Sequence, residues 1–267
     1  MTFYGVRGSI PVPGADTQVF GGNTPCLCVQ AEEALFLFDC GTGCIPLGRE
    51  LLAKRSHHEI HILISHTHLD HIQGLPLFEP LYKKDYSIHL YGEDRCGLTL
   101  RQQLDRMMSP PLWPVGTEAF LANVHYHTLR AGQPFSIGGC AFETMRSHHP
   151  DECTLYRMTC GGKSLVYALD FEYDTQSSAA LTAFAKDCDL LVYDAFYDDR
   201  AYPARQGFGH STWQHGLQLS QACRAKRTAF AHLHPSRTDA ELSAVQAEIA
   251  RQDTRCFLAQ ERRELIL

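Results

Sequence analysis

The run Ile60-His61-Ile62-Leu63-Ile64 alternates so that Ile60, Ile62 and Ile64 share one face, the period-two signature of a half-buried strand. Ahead of it, Cys26–Gln30 and Ala34–Phe38 predict two strands joined by the polar turn Glu32-Glu33. Pro46–Arg55 predicts a short helix with Leu47, Leu51 and Leu52 on one face. Phe20-Gly21-Gly22-Asn23-Thr24 and the stretch from Asp39 to Gly43 read as loops. Further on, Ile72–Tyr82 predicts a short helix interrupted by prolines, Tyr86–Tyr91 a strand, and Leu98–Met108 a helix. Strand signals return at Val124–Leu129 and Ala141–Arg146, then as a hairpin of Thr154–Thr159 and Ser164–Leu169 turning at Gly161-Gly162. Ser177–Lys186 reads as a helix and Leu190–Tyr193 as a strand. Ser211 with Gln214 forms a capping-box pattern opening a helix to about Ala225, and Thr238 with Glu241 forms another opening a helix to about Gln252. Strands at Thr228–Ala231, Cys256–Ala259 and Glu264–Leu267 complete the expected elements. Strands precede helices in each half, which predicts α/β sheets packed face to face with helices outside, in one domain over residues 1–267.

Composition adds limits. A length of 267 residues with 44% hydrophobic and 20% charged residues suits an ordinary globular core. No apolar run is long enough to cross a bilayer, so no membrane partner is expected. The opening Met1–Arg7 shows no basic segment leading into an apolar one, so a cytoplasmic location is expected. The eleven cysteines fall in no framework or zinc-knuckle spacing and read as free thiols; Cys26, Cys28, Cys153 and Cys160 read as small buried apolar residues. The formal charge of −6 argues against broad capture of long nucleic acid but leaves room for a small anionic substrate held by a metal.

The chemistry concentrates at His66-Thr67-His68-Leu69-Asp70-His71, directly after the Ile60–Ile64 strand. Four ligand-type side chains within six residues, delivered at one strand end, point to a divalent cation. A second ion needs more donors, and these belong where strands leave the core. His148-His149 follows the strand ending at Arg146, Asp170 ends the strand Ser164–Leu169, and His232 ends Thr228–Ala231 with His234 two residues on. Imidazole and carboxylate donors without thiolate suit Zn²⁺, and also Mn²⁺ or Fe²⁺.

The His66-x-His68-x-Asp70-His71 signature, the Asp39-x-Gly-Thr-Gly43 loop, His149-Pro150, Asp170 and His232 together resemble the metallo-β-lactamase-fold hydrolases, over nearly the whole chain. Gly21-Gly22-Asn23-Thr24, Asp194-Ala-Phe-Tyr197 and Gly209-His210-Ser211-Thr212 are similar to the phosphodiesterase branch: tRNase Z, the phosphonate-pathway cyclic phosphodiesterase and cyclic-nucleotide phosphodiesterases. The resemblance implies a four-layer αββα sandwich with two divalent ions between the sheets. It implies that His66, His68 and His149 hold one ion, that Asp70, His71 and His232 hold the other, and that Asp170 bridges them, with His148 and His234 as the alternatives to His149 and His232. The segment from about residue 79 to 129 reads as an elaboration over the site.

Two ions about 3.5–4 Å apart can bind a shared hydroxide, lower its pKa and stabilise attacking and leaving oxygens at phosphorus. The leaving group then needs a proton, for which His210 is the candidate acid and Asp194 the carboxylate that orients it. Asp70 counts with them among the catalytic residues as a ligand, and Asp39 is expected to orient a ligand imidazole. Arg7, Asn23, Thr24 and Arg157 are candidates for phosphate contacts. These expectations make the chain a phosphodiesterase for a small, cyclic or short diester, compatible with a homodimer. The alternatives are hydrolysis of carboxyl esters, thioesters or lactones on the same fold, and a non-catalytic nucleotide-binding module.

Overall fold

The computed structural model describes residues 1–267. Six strands form the first sheet in sequence order: β1 (Thr2–Gly5), β2 (Cys26–Ala31), β3 (Ala34–Phe38), β4 (Glu59–Leu63), β5 (Ser87–Glu93) and β6 (Asn123–Leu129). The first three pair antiparallel, and β3 to β6 run parallel. Seven strands form the second sheet: β7 (Phe135–Ile137), β8 (Cys140–Arg146), β9 (Thr154–Cys160), β10 (Lys163–Ala168), β11 (Leu190–Asp194), β12 (Thr228–Ala231) and β13 (Cys256–Leu258). Here β7 to β10 pair antiparallel, while β10 to β13 run parallel.

Period-two alternation divides the core. Leu35, Leu37, Ile60, Ile62 and Ile64 pack outward under Leu47 and Leu51 of α1 (Cys44–Lys54). Phe36, Phe38 and Leu63 point the other way, into the apolar layer shared with Phe142, Tyr156 and Tyr167 of the second sheet. Both faces of the first sheet are therefore covered, as parallel strands require. Beyond α1, the helices are α2 (Leu69–Ile72), α3 (Leu100–Met107), α4 (Thr175–Phe184), α5 (Trp213–Cys223) and α6 (Asp239–Gln252). Helices α1 and α3 lie on the outer side of the first sheet, and α5 and α6 pack on the second. The parallel strands β3 and β4 of one sheet and β10, β11 and β12 of the other end along one edge, where their C-terminal loops meet.

Local differences have local causes. The α5 cap is Thr212, whose side chain accepts from the His215 amide; Ser211 instead bonds the Tyr193 hydroxyl in the interior. The box at Thr238 and Glu241 closes with both of its bonds. Prolines reduce the stretch 72–82 to α2 and two 3₁₀ turns, because each removes an amide donor. The end of the chain makes only a bridge from Glu264 to Thr2, not a strand. Residues 87–93 and 123–129 are sheet strands rather than parts of an appended elaboration. Cys140 and Cys160 oppose each other across β8 and β9 and form a disulfide, contrary to the expectation of free thiols throughout. No helix is long and apolar enough to cross a membrane.

Candidate metal centre

His66 lies three residues past β4, His68 stands at the N-cap of α2, and the single turn of α2 carries Asp70 and His71. His149 follows β8, Asp170 follows β10, Asp194 ends β11 and His232 follows β12. Asp39, Asp170 and His232 hold φ of 60°, 55° and 58°. The left-handed region costs an L residue about 1–2 kcal/mol, so three such residues meeting at one edge mark a place where geometry outranks local stability.

Their donor atoms converge in four overlapping groups, each within 4.8 Å: His66, His68 and His149; Asp70, His71 and His232; His66, His71 and Asp170; and Asp170, Asp194, His210 and His232. Asp170 stands between the first two. Its carboxylate lies 3.0 Å from His71 Nε2 and 3.4 Å from His232 Nε2 on one side, and 3.8 Å from His149 and 3.9 Å from His66 on the other. His66 Nε2, His71 Nε2 and Asp170 Oδ2 are buried without a hydrogen bond. Buried polar atoms are nearly always satisfied, so these converging lone pairs fit divalent cations. Two of the far ring nitrogens are occupied as ligands require, whereas His232 Nδ1 is buried without a hydrogen-bond partner. His71 Nδ1 donates to Asp39 at 2.7 Å, and His149 Nδ1 donates to the Gly209 carbonyl at 2.9 Å. Asp39 is itself fixed by the Ser65 amide and hydroxyl and by the Tyr167 hydroxyl. Asp70 accepts from the Ser9 amide at 2.7 Å. Of the alternative donors, His148 turns outward to pair with Asp174, and His234 is bonded to Ser236 outside the groups.

Without metal these side chains form a compact ionic network. Burial opposes charge on His232, but Asp170 and the bond to Asp70 outweigh it and raise its pKa to about 9. Burial likewise opposes charge on His71, and Asp170, Asp70 and Asp39 hold it well above the ordinary histidine value. Asp70, despite its burial, is held far below the carboxylate range by His71 and His232. A pKa raised on folding stabilises fully below the unfolded value and loses that contribution as pH rises through the folded one. The chelated protein should therefore lose on the order of 3 kcal/mol between pH 6.5 and 9, seen as a fall in Tm of roughly 5–10 °C. The zinc-saturated protein should show no such slope, because bound imidazoles are already neutral; equal slopes with and without metal would contradict the network.

Beside this cluster, Asp194 accepts from His210 Nδ1 at 2.9 Å and from the amides of Asp170, Phe196 and Ser211. A carboxylate only accepts, so Nδ1 carries a proton and Nε2 is the free end of the ring. Phe196 stacks on the His210 ring at 4.3 Å and 15°. Glu172, which no sequence motif marks, accepts from the amides of Gly207 and Gly209 and so ties down the loop that carries His210. Gly209 holds φ +84°, and a Cβ there would sit 2.1 Å from His149 Nδ1. This glycine lets one loop brace both His149 and His210.

Residues 35–233 match the family described as the β-lactamase superfamily domain. The chain belongs to this superfamily. Ribonuclease Z of Bradyrhizobium diazoefficiens is 24% identical over 93% of the chain and 94% of its own length. Among solved structures, the metallo-β-lactamase fold protein YhfI of Bacillus subtilis superposes with a TM-score of 0.73 at 19% identity, covering 98% of this chain and 96% of that one. A diphosphatase of the PhnP family superposes at 0.70 with 21% identity, covering 100% and 96%. The two sheets and their helices are thus the metallo-β-lactamase fold.

Within this superfamily member, four expected phosphate contacts are turned to structural use. The Arg7 guanidinium is fully buried and donates to the carbonyls of Gly21, His234 and Arg237. The Asn23 side chain donates to Glu261. Thr24 is buried and accepts from the Thr42 amide and Gln73. Arg157 donates to the carbonyls of Phe184 and Lys186. A cavity of about 320 Å³ opens at His66 and His68, with Thr67, Leu69, Gln103, Arg106, Met107 and Leu112 along its wall. Arg95 also lines it, but its guanidinium is engaged by Glu93, Thr154 and the Ser65 carbonyl. Arg106 is the exposed cation there.

Proposed function

We propose that the chain is a metal-dependent phosphodiesterase. In this reading His66, His68 and His149 hold one divalent ion, Asp70, His71 and His232 hold a second, and Asp170 serves both. Zn²⁺ is the favoured ion, with Mn²⁺ and Fe²⁺ also suited to the donors. Ions held there would supply a hydroxide nucleophile near neutral pH and Lewis-acid stabilisation of charge at phosphorus. The chain's own residues do the rest. Asp39 and the Gly209 carbonyl fix the rings of His71 and His149, and Asp194 fixes His210 with Nε2 free to protonate the departing oxygen.

The observation that carries phosphorus over carbon is the Asp194–His210 pair at 2.9 Å, set against the donor cluster. Alkoxide leaving groups of phosphodiesters need a proton, and a clamped imidazole beside the site supplies one. The cavity of about 320 Å³, with its apolar wall and single exposed arginine, and the net charge of −6 favour a small diester such as a cyclic nucleotide. A second reading, cleavage of an RNA, is favoured by the relatives that bear the name ribonuclease Z. A panel of cyclic nucleotides and short diesters beside a 3′-extended transfer RNA separates the two.

The reading is tested by turnover of an aryl phosphodiester. Chelation should abolish it, zinc should restore it, and His68→Ala should lower it by at least about 100-fold by loss of a ligand. Turnover that survives both treatments would exclude the centre as its source.

A further inference from the structure

A second group of histidines lies on the first sheet, away from the centre described above. Glu59 and His61 alternate onto one face of β4, and His89 is the direct partner of His61 on β5. His61 Nε2 lies 3.6 Å from Glu59 Oε1, and His89 Nε2 lies 3.4 Å from the same oxygen. These separations are longer than an ordinary hydrogen bond of about 2.7–3.2 Å. They match the spacing of neighbouring donors around a tetrahedral ion, where bonds of about 2.0–2.1 Å place ligand atoms about 3.4 Å apart. All three donor atoms lie within 4.8 Å of one another.

The far nitrogens of both rings are also engaged. His61 Nδ1 faces the Tyr91 hydroxyl at 3.3 Å, and His89 Nδ1 faces His127 Nε2 at 3.0 Å. A ring that donates from Nδ1 presents the Nε2 lone pair, which is how outer hydrogen bonds prepare an imidazole to bind a metal. Phe36 stacks on His61, and His125 stacks on His89, so neither ring is free to turn away. An access route exists: a cavity of about 420 Å³ lined by Glu32, Glu33, Glu59 and His61 reaches the group from solvent, and its carboxylates favour a cation.

We propose that Glu59, His61 and His89 form a separate site for one divalent transition-metal ion, with solvent completing its coordination. His61 lies within β4, whereas His66 lies three residues past its end, and the two donor sets share no residue, so this site is distinct from the centre at the strand ends.

Equilibrium dialysis against zinc, followed by counting zinc per chain, tests this in the intact 267-residue chain. Glu59→Ala and His89→Ala should each hold one zinc fewer than the wild type, with aryl phosphodiester turnover within about two-fold of it. Glu59 is exposed, so Glu59→Ala keeps the fold and decides the matter alone should His89→Ala fail to fold by circular dichroism. The same zinc count in Glu59→Ala or in folded His89→Ala as in the wild type overturns the proposal. The count is read whether or not the chain cleaves phosphodiesters, so its failure is separate from failure of the catalytic assignment.

Discussion

Replacing His210 with alanine should lower kcat on a phosphodiester with an alkoxide leaving group by about 10²–10⁴-fold, the range of a positioned general acid. The same variant should lose less than about ten-fold on an aryl diester, whose leaving group departs without a proton. This split isolates the role, since damage to the metal centre would depress both substrates alike. His210 is not among the proposed ligands, although its donor atom lies within 4.8 Å of Asp170, Asp194 and His232, and it is held by Asp194, whose other bonds go to backbone amides. Zinc content should therefore stay at the wild-type value in His210→Ala. Equal losses on both substrates, or a loss of zinc, would reassign His210 to the upkeep of the site.

A larger loss is expected from Asp170→Asn. The carboxylate lies within 4 Å of four imidazoles, two in each proposed ligand group. Asparagine keeps the shape and removes the charge, so turnover on every phosphodiester should drop by about 10³-fold or more. Zinc should bind more weakly as well. The metal-free chain should also be destabilised, by on the order of 3 kcal/mol near pH 6, because His71 and His232 lose their shared counter-charge. Thermal melts of the chelated variant at pH 6 and 9 check this: the gap from wild type should be wide at pH 6 and narrow at pH 9. Retention of turnover within ten-fold would remove Asp170 from the centre.

The readable parts of the site were those where chemistry coincides with local pattern. His66 to His71 stand together in the chain, and Asp170 and His232 each end a run whose apolar character marks a strand. The preference for His149 over His148 rests on the resemblance, in which the ligand stands directly before a proline, here Pro150. Arg7, Asn23 and Thr24 are the opposite case. A polar loop residue faces a site or a core according to its partners, and two of the three carbonyls that Arg7 donates to lie more than 200 residues away, at His234 and Arg237. Glu172 carries no motif, and its purpose exists only once the Gly207–Gly209 loop folds over it. The Cys140–Cys160 pair depends on the register of β8 against β9. The second histidine group depends on the register of β4 against β5, so neither appears in spacing along the chain.

The claim that the centre acts on phosphorus is met most directly by comparing bond types side by side. The zinc-loaded chain should be assayed at equal concentration on an aryl phosphodiester, a lactone, a thioester and a β-lactam. The account predicts cleavage of the phosphodiester, abolished by chelation, with the three carbonyl substrates turned over at least about 100-fold more slowly. Opening of a lactone, thioester or β-lactam with the phosphodiester left intact would contradict it.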